Sequence, residues 1–496
     1  MTADFIKASK YKVPNEVSRV TQKLKKAGYE AFLVGGCVRD MLRNAKPKDW
    51  DITTNADPET INSLFEHSFY ENRFGTVSIV NEETTDDSLH VVEVTPYRTE
   101  GRYSDKRRPD TVQFSQSIDE DLKRRDFTIN AIAYDDEKDI YYDPYNGRAD
   151  IKDKIIRTVG NPKDRFGEDA LRMLRAVRLH AELGFYIDNE TKDGVSVHAE
   201  KLANIAVERI RDEFIRITAS PYPKGAIEML AEIGLLRYII PELEESFHVK
   251  QNQAHSYDVW EHLLRSLQHA ADKNWPLEVR IAALLHDIGK PATKQWDEKK
   301  QDWSFHGHEV VGAKITRKAL KRLTFSNELI TRVTTLIRWH MFFSDPDQIT
   351  LSAVRRMVRN VGKDNVWDLV HLRICDRIGT GRPKEEPYRL RKYESMIEEA
   401  MRSPVTVQNL AIDGSDLMNN LSLKPGPIIG FLLHALLEEV LDDPDRNTSN
   451  HLLERAEKLS NLPLDELKER GEQGKQKREK EEEKQLKKIR RKYGVK

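Results

Sequence analysis

The chain has 496 residues, of which 33% are charged and 38% hydrophobic, with a formal net charge of -1. That length points to roughly two to four domains, and the balance suits a soluble, helix-rich protein with several modest cores rather than one large one. Near-neutrality gives no global sign of a nucleic-acid partner, although it leaves local basic patches open. The two cysteines, Cys37 and Cys375, are far apart and outside any metal-like spacing, which excludes a disulfide scaffold and fits a reducing cytosol. "MTADFIKASKYKVPNE" has no apolar core followed by a small-residue cleavage site. The most apolar long stretch, "PIIGFLLHALLEEVL", is too short and too charged to cross a bilayer and reads as a buried helix. A cytoplasmic protein with no membrane partner is expected.

In chain order, the first third alternates short β-like runs with helical ones. "AFLVGG", "DWDIT", "TVSIV", "HVVEVTPYR", "TVQFS" and "IAYD", rich in Val, Ile and Thr, predict strands. From about Asp150 onward the apolar spacing is helical almost throughout, as in "EDALRMLRAVRLHAELGF" and "EVRIAALLHDIGK". Pro and Gly in "TASPYPKG" near 220 and "GTGRPKEEPY" near 383 predict breaks. There is no fixed-period repeat. The mixed-charge end, "LKERGEQGKQKREKEEEKQLKKIRRKYGVK", predicts a frayed, solvated helix or a disordered tail. Its Lys/Arg excess in the last ten residues leaves room for an RNA-contacting arm.

The stretch "FLVGGCVRDMLRNAKPKDWDITTNADP" is the first to carry chemistry. If "KDWDIT" is a strand, Asp49 and Asp51 project to one side and Trp50 to the other. Two carboxylates on one face are costly unless a cation sits between them. Mg²⁺ is the natural candidate, because it takes oxygen ligands and commonly binds one or two carboxylates plus substrate phosphates. Upstream, Gly35 and Gly36 join a strand to a helix and let backbone approach a triphosphate closely. Arg39, one turn in, offers a charge-assisted contact. A lone DxD is a weak signal; joined to strand-GG-helix it is a strong one.

These motifs, G-G-x-V-R-D followed by K-D-x-D-I-T, resemble the class II nucleotidyltransferases, which comprise the bacterial tRNA CCA-adding enzymes and poly(A) polymerases. The resemblance implies an α+β fold, with an N-terminal polymerase-β-like nucleotidyltransferase head followed by a mostly α-helical neck, body and tail. It continues in order through residues 25–220. "RRDFTINAIAYD" resembles the segment that contacts the ribose and selects ribonucleotides, which implies nucleotide-binding roles for Arg124, Arg125, Asp126 and Asn130. "DPYNGRADI", with Asp143, Gly147 and Asp150, resembles the segment joining head to neck, and "ERIRDEF", with Glu208, Arg209 and Glu213, a helix supporting the neck. "RFGEDALRMLRAVRLHAELGF" resembles the segment whose acid and arginine act as a protein template for the incoming base. In it, Asp169, Arg172 and Arg175 recur at i, i+3 and i+6 along one slowly turning helix face, with Arg178 one step further. Standing alone, such a stripe is more often a set of surface ion pairs. Here Asp supplies acceptors and Arg a fork of donors, the inventory needed to read the exocyclic amine and ring nitrogen that adenine and cytosine share.

Glu93, in "VVEVTPYR", is a candidate third carboxylate or, alternatively, an ion-pair partner of Arg98. The polar segment "TEGRYSDKRRPD", 99–110, resembles the family's flexible loop, which assists the switch from C to A addition; its presence tilts against a CC-only enzyme.

Downstream, His262, His286 with Asp287, His306 with His308, His340 and Asp376 supply imidazoles and carboxylates suited to a divalent transition metal. An adjacent His-Asp in an apolar helix is hard to explain as packing, because burying an unpaired charge is costly. The order H…HD…H…H…D resembles the HD-domain phosphohydrolases. That resemblance implies His262, His286, Asp287 and Asp376 as core metal ligands, and His308 and His340 as ligands of a second metal. His255 and His306 fill no required slot and are expected at helix ends or on the surface. Residues 401–460 resemble the small helical tail that follows such HD domains.

The expectation is thus a head over 1–150, a helical neck and body with the base-selecting helix over 151–250, an HD domain over 251–385, a helical tail over 386–460 and a charged end over 461–496. Its activity is template-independent addition of CCA to tRNA 3′ ends from CTP and ATP, with a second phosphohydrolase activity on phosphate esters. Poly(A), A-only or CC-only addition are the alternatives. The expected cofactors are Mg²⁺ at Asp49 and Asp51, and Mn, Ni, Co, Fe or Mg at the HD site.

Overall fold

The β-branched runs of the first third do pair. In the computed structural model, which describes residues 11–70, 75–100, 112–253, 255–342, 349–402 and 407–495, the strands are β1 (Ala31–Val34), β2 (Trp50–Thr54), β3 (Ser68–Tyr70), β4 (Val77–Val80), β5 (Val91–Pro96), β6 (Arg98–Glu100), β7 (Val112–Phe114), β8 (Ala133–Asp135) and β9 (Ile140–Tyr142). Seven of them form one sheet in the order β3-β4-β5-β2-β1-β8-β9, and β6 pairs with β7 in a separate ribbon. β2 and β5 run parallel while the other pairs of the sheet are antiparallel. All six expected strands are present. β3, β6 and β9 are three residues each, too short to show alternation in sequence.

The chain divides into two compact units, Met1–Arg338 with His371–Arg382, and Trp339–Val370 with Pro383–Lys496. In the first unit the sheet gives way to helices, as the 3.6-residue spacing predicts. Gly147 opens one of them, Gly147–Asp153, and a Cβ there would fall 2.1 Å from the Thr128 carbonyl oxygen, so only glycine lets this joint close. The stretch near 220 is anchored inside this unit: the buried Arg280 guanidinium donates to the carbonyls of Ala219 (2.7 Å) and Ser220 (3.0 Å).

In the second unit, Leu417, Leu432, Leu436, Leu452, Leu459 and Leu467 form a buried core from four helices. The mixed-charge end takes the helical one of its two expected forms, but packed rather than frayed and solvated: Leu464–Lys492 lies against Pro427–Asp442. Gly474 permits the approach, since its Cβ would meet the His434 carbonyl oxygen at 2.5 Å. At its far end Arg490 pairs with Glu399 (3.0 Å) and Lys492 with Glu398 (2.7 Å). Apolar contact at one end and ion pairs at the other fix a helix whose composition alone reads as solvated.

Candidate active site and metal centre

The register of the sheet builds the first site. Leu33 lies opposite Ile52 across the antiparallel β1–β2 pair, which sets the turn after β1 beside the start of β2. Gly35 has φ +83°, a conformation that L side chains rarely adopt. A Cβ on it would come within 3.3 Å of both the Asp51 carboxylate and the Arg125 guanidinium; on Gly36 it would come within 3.8 Å of Asp49. Asp49 is exposed, one residue before β2 rather than within it, and Trp50 between the two acids is buried. Across the parallel β2–β5 pair, Asp51 lies opposite Glu93. Burial, then Asp49 and Glu93, push the Asp51 carboxyl up to about 7, against the opposing pull of Arg125. Asp49 and Glu93 thus disfavour the charged form of Asp51, and three carboxylates on one edge are the donor set a hard divalent cation relieves. Cys37 behind them is no nucleophile: burial and then Asp51 raise its thiol to about 12.

A hydrogen-bonded line runs from this turn to the helical neck. Arg39 lies bidentate on Asp40 and donates to Asn130 Oδ1 (3.0 Å), Asn130 donates to Asp126 (3.4 Å), and Arg175 pairs with the other Asp126 oxygen (2.7 Å). Burial opposes ionisation of Asp126, but Arg175 and Arg172 outweigh it and hold its carboxyl below the usual range. Arg124 and Arg125 both donate to Asp121, which is fully buried. Asp121 is absent from the expected set, although its i+3 and i+4 spacing to two arginines is a signal the sequence carries.

Asp169 does not lie on the helix face assigned to it. The chain leaves one helix, Pro162–Glu168, turns at Asp169 (φ −140°) and starts the next, Leu171–Leu183. There the Asp169 carboxylate accepts from the Leu171 N–H (3.0 Å) and from Arg209 (2.9 Å). Its side chain closes a turn onto the Leu171 N–H just ahead of the new helix, whose N-cap is Ala170, so the apparent i, i+3 stripe is broken by a turn that hydrophobic spacing does not reveal. Arg172 and Arg178 do lie on Leu171–Leu183, both buried; Arg172 pairs with Glu168 and Arg178 with Glu213 (3.1 Å). Of the loop expected at 99–110, residues 101–110 lie outside the described residues; Thr99 and Glu100 belong to β6.

The second constellation also assembles. His262 comes from helix Val259–Asp272, His286 and Asp287 follow Leu277–Leu285, and Asp376 sits near the end of Val366–Gly379. One ligand atom from each of His262, His286 and Asp376 lies within 4.8 Å of the others, and all three residues are buried. The two Nε2 atoms of His262 and His286 face each other at 2.9 Å, and Asp287 lies 3.1 Å from the first. His286 Nδ1 is 2.9 Å from the Ala283 carbonyl oxygen, and His308 Nδ1 is 2.7 Å from that of Phe305. Nδ1–H donating there leaves Nε2 as a ligand lone pair, the arrangement of metal-bound histidines. His308 Nε2 is 3.2 Å from Asp287. Two imidazoles nose to nose suit a shared cation in place of a lone pair clash. The carboxylates act unequally on the two rings: burial opposes charge on His286, yet Asp287 and Asp376 hold it up at about 10, while burial keeps His262 low.

Gly379 makes this convergence possible, since a Cβ there would fall 2.2 Å from Ser266 Oγ and 2.7 Å from the His262 carbonyl oxygen. Lys290 and Arg373 escaped the sequence reading. Lys290, buried, pairs with Asp287 (2.6 Å) and Gln251 (2.5 Å), and Arg373 pairs with Asp376 (2.5 Å). His340 is buried just past helix Asn327–Trp339 and belongs to the second unit. His306 is exposed, as expected. His255 corrects the expectation of a surface histidine: it is half-buried with its ring 5.6 Å from that of His262, held by Asn252 (2.7 Å). Burial, then Lys290, lowers its imidazole to about 4.

Comparison with known proteins places this geometry. The chain matches the Poly A polymerase head domain over residues 31–157, the probable RNA and SrmB-binding site of polymerase A over 184–247, and the HD domain over 259–379. It is 32% identical over 452 residues to the CCA-adding enzyme of Limosilactobacillus reuteri (strain DSM 20016), a match that covers 89% of this chain and 96% of that one. Over a shorter stretch of 286 residues it is 40% identical to the CCA-adding enzyme of Geobacillus thermodenitrificans, covering 56% and 65% of the two chains. Its fold is similar to the crystal structure of the Bacillus stearothermophilus CCA-adding enzyme in complex with CTP, with a TM-score of 0.59, 28% identity and coverage of 89% and 98%. Among the described residues no helix is long and apolar enough to cross a membrane. The chain belongs to the CCA-adding enzyme family.

Proposed function

We propose that this chain adds C, C and A to tRNA 3′ ends from CTP and ATP without a nucleic-acid template, in the cytoplasm, and that its HD domain hydrolyses phosphate esters. One observation carries the first activity: Asp49 and Asp51, with Glu93 opposite, stand against a glycine turn that leaves backbone open to a triphosphate. Asp49 and Asp51 would hold Mg²⁺, with Glu93 as third carboxylate. When bound, the ion neutralises the triphosphate and lowers the pKa of the RNA 3′-hydroxyl. The chain's own residues then bind and orient. Gly35 and Gly36 admit the phosphates; Arg39, Arg124 and Arg125 offer planar N–H forks to phosphate and ribose oxygens, the last two held by Asp121. Asn130, Asp126 and Arg175 tie that pocket to the neck. There Asp169 and Arg172 supply the acceptor and donors for the amine and ring nitrogen common to cytosine and adenine, and Arg178 braces the helix of Arg172 through Glu213.

In the HD domain, His262, His286, Asp287 and Asp376 would hold a metal, with His308 and His340 assigned to a second by the order of the motif. Mn, Ni, Co, Fe or Mg suits this N/O donor set, and when bound it polarises a phosphoryl oxygen. The substrate class is a phosphate ester, such as a 2′,3′-cyclic or 3′-phosphate RNA end that blocks extension. The head is allotted 1–150, the neck and body 151–250, the HD domain 251–385, the tail 386–460 and the terminal helix 461–496.

The test is Asp49→Asn and Asp51→Asn assayed for labelled CTP incorporation beside tRNA binding. Loss of addition with binding kept supports the assignment; normal addition in either variant refutes it.

A further inference from the structure

Between Asp287 and His308, two residues assigned to the metal centre, the chain folds into a hairpin of Gln295–Asp297 with Asp302–Ser304. Trp296 lies opposite Trp303 across it, with ring centroids 5.1 Å apart and planes at 77°. Side chains two apart on a strand share a face, which puts Lys294 and Trp296 along one arm together with Trp303 and Phe305 along the other. The contacts agree: Lys294 Nζ sits over the Trp303 ring at 4.2 Å, and Lys290 Nζ over the Phe305 ring at 5.5 Å.

This aromatic face runs into the metal centre. Phe305 is buried, its carbonyl oxygen lies against His308 Nδ1, and the Lys290 on its ring pairs with Asp287 at 2.6 Å. The hairpin is fastened a second time, where Asp302 accepts from the Gln253 N–H (3.0 Å). In the same loop Gln251 holds Lys290 and Asn252 holds His255. From Phe305 to Trp303 is about 7 Å of strand, the span of a ribose between its phosphate and its base.

Trp303 is half-buried under Lys294, and hairpin stability accounts for it, because a cross-strand aromatic pair steadies a ribbon that is marginal alone. Trp296 differs. Of the seven tryptophans, all within the described residues, it alone is exposed, at 45%. Open indole surface beside a phosphate site is a stacking platform for a nucleobase, whichever base it is.

We propose that Trp296 is the base platform of the HD site, which makes the ligand of that site a nucleoside phosphate ester and not a phosphate ester lacking a base. The inference rests on the reading that the HD domain hydrolyses phosphate esters.

The experiment uses the full-length, metal-loaded chain and adenosine 3′-methylenephosphonate, which resists hydrolysis and carries no triphosphate for the head to hold. The methyl riboside bearing the same 3′ group is the base-free control. Trp296→Ala and Trp296→Phe are compared with wild type by calorimetry, by tryptophan emission and for metal content. Trp296→Ala is expected to weaken Kd for the nucleoside ligand about 5- to 150-fold and to leave the base-free ligand unchanged. Trp296→Phe should recover most of that loss. The nucleoside ligand should quench emission in the wild type and quench it less in Trp296→Phe. Unchanged nucleoside affinity in Trp296→Ala would overturn the proposal. Equal weakening of both ligands, or loss of metal, would also overturn it, because the hairpin would then only shape the site. An RNA oligonucleotide with the same 3′ end separates the two sources of such a ligand. Affinity equal to or above that of the nucleoside identifies RNA ends, exclusion identifies free nucleotides, and either upholds the platform. Wild-type chain that binds the analogue through Trp296 but hydrolyses no nucleoside phosphate ester would sink the hydrolytic reading alone, so the two failures are distinguishable.

Discussion

Arg209 touches no nucleotide in this account, yet removing it should change which nucleotide is chosen. Its guanidinium donates to Asp169 at 2.9 Å, and the two side chains are 30% and 15% exposed. Asp169 is also pinned by the Leu171 N–H at 3.0 Å. A hydrogen bond to a charged group contributes about 1.5–3 kcal/mol when buried, and an exposed ion pair about 0–1. For this half-covered pair about 1 kcal/mol is reasonable, which corresponds to roughly a fivefold change in rate ratio. Arg209→Ala should therefore lower the preference for CTP over UTP about fivefold by loosening Asp169. Asp169→Ala removes the acceptor itself and disturbs two base contacts of about 1–3 kcal/mol each, so selectivity should fall by on the order of 10²–10⁴. UTP presents a ring N–H and a carbonyl where CTP presents an acceptor and an amine, so it is the diagnostic competitor. Arg172→Ala should act like Asp169→Ala, whereas Arg178→Ala, paired with Glu213, should reduce rate more than choice. The assay is kcat/KM for all four nucleotides on tRNA ending before the CCA. Unchanged CTP-over-UTP preference in Asp169→Ala and Arg172→Ala would refute base reading at this turn and leave the residues as structural ion pairs.

The elevated Asp51 carboxyl, at about 7 against 3.8, makes stability fall as pH rises between those values, because the folded state keeps a proton the unfolded state has lost. Mg²⁺ should consequently raise Tm more at pH 7.5 than at pH 5, and Asp51→Asn should erase that difference; equal Mg²⁺ shifts at both pH values in the wild type would contradict it. His286→Ala with Asp287→Ala should remove bound transition metal and phosphatase activity but spare nucleotide addition; loss of both activities in a chain still folded by circular dichroism would mean the two sites are not separate. Gly379→Ala drives a methyl to within 2.2 Å of Ser266 Oγ, an overpacking that costs about 1–3 kcal/mol. The urea midpoint and the metal content should both fall, and an unchanged midpoint with full metal would show that the approach of the two helices is not tight.

Much of both sites was legible because their signals are local. Gly35–Gly36, Asp49–Asp51 and His286–Asp287 each declare themselves within a few residues, and the six strands showed in Val, Ile and Thr. What stayed hidden is non-local or lies at element ends. Arg209 meets Asp169, and Arg175 meets Asp126, across more than a full helix of intervening chain, so only tertiary packing pairs them. The turn at Asp169 was masked by apolar spacing that runs through it unbroken, although Asp readily hydrogen-bonds the backbone two residues on and so favours a turn. Nothing in the sequence singles out Lys290; only the fold shows its ammonium buried on Asp287. The charged end read as solvated because composition cannot reveal that Gly471 and Gly474 are where a neighbouring helix touches.

The identity of the added sequence separates CCA addition from its alternatives. Wild-type chain is incubated with tRNA lacking its 3′ CCA, CTP, ATP and Mg²⁺, and the product 3′ ends are sequenced. The expected product is C, C, A and then arrest, with no extension when either nucleotide acts on a completed end. Long A tails on unrelated RNA, products that stop at CC, or addition confined to tRNA already ending in CC would contradict it.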